Sequence, residues 1–285
     1  MRALAAGLAA ALAFASSALA EPQVWIVRDG DSEMLLFGSV HVLPPGLAWR
    51  PSTLDAALLK AEDLWFELPV DAAADREVAR LALVTGTLAP NQSLFALLPP
   101  EDATRLLRIA GSYGVDRASL DRLKPWLAEV ALAAALYRRM GAASNHGVEA
   151  TISATAPPSA RRKALETPAD QIALFNAASI PDQIASLRGS MEEIDTEPDA
   201  FATLIAAWMA GDVATLERET QSLRRLSPAL FQRLIVQRNV AWTTTLDARL
   251  KGKGRTVVVV GAGHLVGDEG LPARLRALGY SVTGP

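Results

Sequence analysis

The 285-residue chain contains no cysteine. That excludes disulfides, a thiolate nucleophile, a zinc–thiolate centre and lipid attachment through cysteine. Histidine is scarce as well, with only His41, His146 and His264, and aromatic residues make up 6% of the chain. Positive charge is not in excess: 28 Lys and Arg stand against 31 Asp and Glu, for a net charge of −3. Binding to a phosphate backbone draws its affinity from clustered Lys and Arg that displace counterions, so nucleic acid is not an expected partner. Beyond the N-terminus no uninterrupted apolar run reaches the roughly 20 residues needed to span a bilayer.

What is present begins with the N-terminus. Met1-Arg2 carries one positive charge, Ala3 to Ala15 is uncharged and rich in Ala and Leu, and Ala18-Leu19-Ala20 precedes Glu21 with small residues at the cleavage positions. This is the pattern of a secretory signal peptide over residues 1–20, and an amphipathic helix is a poor alternative because the segment has no polar face. The expected mature chain, residues 21–285, is periplasmic or secreted with no membrane anchor after cleavage. Half of all residues are hydrophobic, enough for a core that stands without disulfides.

Two apolar runs, Val24-Trp25-Ile26-Val27 and Met34-Leu35-Leu36-Phe37, flank Asp29-Gly30-Asp31-Ser32 and read as a hairpin. Leu64 to Leu68 reads as a buried strand stopped by Pro69, Lys163 to Glu166 as a short strand before Thr167-Pro168, and Thr256 to Val260 as a β-branched strand. A helix from Leu271 to Leu278 and a strand Tyr280-Ser281-Val282 follow. Helical spacing fills about 72–145 and 168–250, including one helix from about Leu230 to Leu250. The expected fold is α/β, one domain with a central mixed sheet and a large helical share inserted at those two stretches.

The chemistry-bearing residues gather at strand ends. Gly38-Ser39-Val40-His41 and Gly261-Ala262-Gly263-His264 each place a glycine three residues before a histidine, directly after an apolar strand. In open α/β sheets ligands bind beyond the carboxyl ends of strands. Glu67 and Glu166 end two other strands, and Glu149 follows Gly147. Imidazoles and carboxylates together suit a first-row divalent metal with an open position for water. For a single strand-end histidine a hydrogen-bonded core role is the ordinary alternative, and the duplicated context argues against it. His146, in a polar turn, reads as a surface or helix-start residue. Arg238 shares a helix face with Trp242 and is either a ligand-orienting arginine or a surface one. Ser39 and His41 do not form a base–nucleophile pair on an extended segment, and no Gly-x-Ser-x-Gly elbow is present. The glycines after Val260 resemble a dinucleotide loop, but the next strand ends without an acid for a ribose.

Taken in order, Trp25, Phe37-Gly38-Ser39-Val40-His41-Val42-Leu43, Glu67, Gly147-Val148-Glu149, Leu165-Glu166-Thr167-Pro168, Arg238-Asn239 and Gly261-Ala262-Gly263-His264-Leu265 with Gly267 and Gly270-Leu271 resemble the TraB/PrgY/GumN family across the mature chain. The family includes the Tiki-type proteases, which are metal-dependent and carry two Gly-x-x-His motifs with acidic residues, and it is distantly similar to erythromycin-esterase-like proteins. It also includes pheromone-shutdown proteins and a member encoded with xanthan-type polysaccharide genes. The resemblance implies His41, His264 and Glu149 as ligands of a divalent ion of the Mn, Co or Zn class. It implies Glu67 or Glu166 as proton acceptor, and Arg238 or Asn239 as stabiliser of a developing oxyanion. Tiki-type members are membrane-tethered, and here the sequence shows a cleavable leader without a later apolar anchor. The expected activity is exported, metal-dependent hydrolysis of a peptide or small molecule. The rival is a non-catalytic binding or polysaccharide-export accessory protein using the same cleft.

Overall fold

The computed structural model describes residues 21–285, and the expected signal peptide lies outside the described residues. Six strands form one sheet: β1 (Val24–Arg28), β2 (Ser32–Ser39), β3 (Asp63–Phe66), β4 (Arg161–Ala164), β5 (Gly254–Gly261) and β6 (Ser281–Thr283). Their order is β4-β3-β5-β2-β1-β6. The first four in that order run parallel, while β1 and β6 add antiparallel pairs at one side. The hairpin between β1 and β2 is closed by Asp29, whose Oδ1 accepts from the backbone of Asp31 and Ser32 and from the Ser32 hydroxyl.

The central strands are buried on both faces, which is why they read as unbroken apolar runs. Val257 and Val259 of β5 join Phe37, Leu64, Phe66, Trp208 and Ile152 on one face, and Val258 and Val260 join Leu36, Trp65, Trp242, Leu246 and Leu271 on the other. Helices Ser52–Leu58, Val148–Thr155 and Ala200–Met209 supply the first cover, Arg238–Leu250 and Leu271–Ala277 the second. A third core, around Leu106, Ile109, Leu132, Leu187 and Met191, belongs to helices alone. The helical share at 72–145 therefore packs with the start of the later helical stretch, whose remainder returns to the sheet.

The sheet is mixed and the class α/β, as the sequence predicts. Some boundaries differ. β3 stops at Phe66 and β4 at Ala164, so Glu67 and Glu166 stand just beyond the ladder, joined by one bond from Glu166 N–H to the Glu67 carbonyl at 2.9 Å. The expected single helix near 230–250 instead comprises Pro228–Phe231, a π-helical Gln232–Gln237 and Arg238–Leu250. Single π turns inside helices recur at functional sites because they re-aim the residue that follows. Among the described residues no helix is long and apolar enough to cross a membrane.

Candidate functional site

Because β2, β3, β4 and β5 are parallel, their carboxyl ends lie at one edge of the sheet. His41, Glu67, Glu166 and His264 follow those four ends.

His41 is held from behind. The Val148 N–H donates to the Val40 carbonyl at 3.2 Å, and Gly147 passes so close that a Cβ there would lie 2.1 Å from the His41 carbonyl oxygen. This places Glu149, in the first turn of its helix, against the imidazole. Oε1 of Glu149 accepts from His41 Nδ1 at 2.7 Å and from the Ser39 hydroxyl at 2.5 Å. With the proton on Nδ1, Nε2 faces the other way, toward Gly261. Burial among protein atoms opposes charge on His41, but Glu149 and then Glu67 outweigh it and raise its pKa to about 9. The ring nevertheless remains open to solvent, with 62% of its side-chain surface exposed.

Glu67 is deeply placed. Oε1 accepts the Gly261 N–H at 2.6 Å and Oε2 accepts from Arg238 at 2.5 Å. Burial alone would raise its pKa; the positive charges of Arg238 and His41 and the Gly261 N–H hold it below the ordinary carboxylate range. Glu166 follows β4 just before a helix start fixed by the Thr167–Asp170 capping box. It takes the Arg238 guanidinium in a two-pronged pair, Nε to Oε1 at 2.8 Å and Nη2 to Oε2 at 2.9 Å.

His264 lies under Arg238 and on Trp242, its ring centroid 4.5 Å from the indole. The Asn239 amide nitrogen donates to the carbonyls of His264 and Glu269, which turns its oxygen to His264 Nδ1 at 2.7 Å. The proton therefore sits on Nδ1 and Nε2 offers a lone pair, which receives Arg238 Nη1 at 2.9 Å. Burial is the main reason that the His264 pKa falls to about 3, with Arg238 and His41 adding to it. The two Gly-x-x-His turns thus hold one histidine that gains a proton and one that stays neutral.

A Cβ built on Gly261 would meet Glu67 Oε1 at 3.2 Å and both His264 Cδ2 and His41 Nε2 at 3.6 Å. Residues from both ends of the chain thereby converge on one point. Above it opens a cavity of about 660 Å³ whose wall includes His41, Glu67, Glu149 and Arg238. Leu68, Pro69, Phe175 and Leu234 supply its apolar side. His264, Glu166 and Asn239 stand behind Arg238, and Asn239 is fully buried. His146 ends a short 3₁₀ turn, Ser144–His146, and does not join the cluster.

Ser39 was legible in sequence only as a serine near a histidine. Its role is to share Glu149 with His41, and two-residue spacing on one strand face was the available signal. Glu149 contacts His41 through Nδ1, so it supports that ring from the side opposite Nε2. Oε1 of Glu149 orients that ring while the residue also reaches the cavity wall, and Glu67 is the carboxylate beside both imidazoles, with Oε1 3.8 Å from His264 Nε2.

The donor chemistry fits a divalent ion. His41 Nε2, His264 Cδ2 and the Glu67 carboxylate surround the Gly261 point, each imidazole has its Nδ1 held by a partner, and the carboxylates of Glu67 and Glu166 face one guanidinium. Among the described residues no three such side chains already stand in ion-binding geometry, since Arg238 takes the His264 lone pair.

The sequence model of the TraB/PrgY/gumN family matches residues 23–284. The "Uncharacterized protein YbaP" of Escherichia coli (strain K12) is 25% identical over 257 residues, covering 90% of this chain and 92% of the relative. The protein of the same name from Shigella flexneri matches to the same extent. No solved structure matches the chain.

Proposed function

The chain belongs to the TraB/PrgY/gumN family, and from that premise we propose that it is an exported, metal-dependent hydrolase, of peptidase type, acting in the cavity above Gly261. The observation that supports this most is the convergence of His41, Glu67 and His264, from opposite ends of the chain, around Gly261, with His41 and Glu67 in the wall of an open cavity and His264 directly behind Arg238. His41, His264 and Glu67 are the side chains that would hold a divalent ion. Such an ion, when bound, supplies Lewis acidity to the group under attack.

The remaining roles follow from the chain's own contacts. Glu149 reaches the cavity wall, and Oε1 is the oxygen committed to Ser39 and His41, so Oε2 is the atom assigned to accept the proton of the attacking water. Arg238 lines the same wall and carries the fixed positive charge that negative charge developing on a substrate carbonyl requires. Glu166 holds that guanidinium in one plane, and Asn239 fixes the His264 tautomer; both are positioning residues.

The test is hydrolysis of a peptide library by the purified mature chain with added Mn²⁺, Co²⁺ or Zn²⁺ and after chelation. Metal-stimulated cleavage that disappears in His264→Ala supports the reading. Tight metal binding without turnover of any peptide or ester would instead favour the non-catalytic binding protein.

A further inference from the structure

A second cavity, of about 490 Å³, adjoins the first, and the two share Phe175, Leu223 and Leu234 in their walls. The π-helical turn is part of the partition. Arg233 faces the second cavity, Leu234 both, and Ile235 with Arg238 the first.

The lining combines two features. Aromatic surface comes from Trp126, stacked on Phe175 at 5.8 Å between centroids, and from Tyr137. Charge comes from Glu129, Asp182, Glu193, Glu197 and Glu219 against the single guanidinium of Arg233. Among the described residues none of these five carboxylates has an ion-pair partner; Glu129 is held by the hydroxyls of Ser186 and Ser190, and Asp182 by that of Ser179. Burial, with repulsion from Glu197 and Glu219, raises the pKa of Glu193.

Two lining residues that are more than nine-tenths buried leave polar atoms unpaired. Gln183, 3% exposed, has Oε1 without a donor, and Trp126, 4% exposed, has its indole N–H without an acceptor. Buried polar atoms normally find partners, so unpaired ones in a cavity wall point to a ligand that supplies them.

We propose that this cavity is a substrate subsite for a basic side chain with an apolar stem, of lysine or arginine type, on a peptide whose scissile bond lies at His41 and Glu67. The proposal rests on the hydrolase reading for its substrate. The carboxylates and Gln183 Oε1 receive the cationic head, the aromatic faces take its stem, and the Trp126 N–H meets a peptide carbonyl. Arg233 excludes a second positive charge from its end of the cavity.

Binding separates this proposal from the hydrolase reading. Capped peptides of Ala and Leu carrying one lysine, norleucine or glutamate would be titrated calorimetrically into the full mature chain, and into Glu129→Gln and Glu193→Gln proteins. The lysine peptide should bind about tenfold tighter than the norleucine peptide, and that preference should shrink in both variants. Equal or tighter binding of norleucine, a preference that survives both substitutions, or no binding of any peptide overturns the subsite. The same peptides are then assayed for cleavage with added metal. A lysine preference in binding without cleavage leaves the subsite standing and removes the hydrolase reading, and cleavage without the preference does the reverse.

Discussion

His41 and His264 occupy the same motif and have opposite fates, because one imidazole faces a carboxylate in an open cavity and the other lies beneath a guanidinium, 5% exposed. The motif itself is consecutive in sequence and therefore legible. The partners are not, since Glu149 lies 108 residues from His41 and only the folded chain brings them together. Glu149→Gln keeps an oxygen for Ser39 and His41 but removes the proposed proton acceptor. It should lower kcat by about 10²-fold or more while leaving bound metal unchanged by elemental analysis. A variant that keeps full kcat would assign the acceptor elsewhere. Asn239→Ala should behave differently, because it strands the buried His264 carbonyl, leaves the Glu269 carbonyl with Arg274 alone and frees the His264 ring. A loss of about 2 kcal/mol in urea unfolding is expected, together with weaker metal binding; unchanged stability would show that water replaces the amide.

At the level of elements, the parallel strands β2, β3 and β5 were readable as apolar runs, and the strand ends were not. Leu68 and Leu165 continue the apolar pattern past the last paired residue, so Glu67 and Glu166 looked like strand residues when they stand one and two residues beyond the ladder. The π turn at Gln232–Gln237 was invisible, because a change of hydrogen-bond register leaves no mark in composition. Gly147 tests how closely two elements must approach. Gly147→Ala would drive a Cβ into the His41 carbonyl, costing about 1–3 kcal/mol and displacing Glu149. A melting temperature and turnover equal to wild type would show that the contact yields freely. Asp63, at the start of β3, joins Arg161 of β4 to Arg249 of the covering helix at 2.8 and 2.9 Å. The hydrogen bond from Arg161 first, then the charges of both arginines, hold its pKa below the ordinary 3.8 despite burial. The folded state therefore binds fewer protons here than the unfolded one, and this stabilisation is complete above pH 3.8 and lost as pH falls through the folded value. Asp63→Asn should cost about 2 kcal/mol at pH 7 and flatten the acid limb of the stability–pH curve, as read by unfolding at a series of pH values. An unaltered acid limb would mean that other carboxylates govern it.

At the scale of the whole molecule, one sheet edge gathers residues from positions 39 to 264, with the two sheet-face cores fixing the strands and the separate helical core lending Leu132 and Ile194 to the wall of the second cavity. The edge was foreseeable from parallel topology, whereas the second cavity was not, because its walls come from helices whose mutual packing no periodicity specifies. Export is the other claim at this scale: intact mass of the secreted product should correspond to a chain beginning at Glu21, and a product retaining residues 1–20 would contradict it. The account as a whole depends on the convergence at Gly261 being a reactive centre. The most direct measurement is metal-stimulated peptide turnover by wild-type and His41→Ala proteins, with melting temperatures taken on the same preparations. Because the His41 ring is largely solvent-exposed and its removal opens no core cavity, the account predicts that turnover falls by about 10²-fold or more while the melting temperature shifts by only a few degrees. Turnover that survives in His41→Ala at the wild-type rate would contradict it.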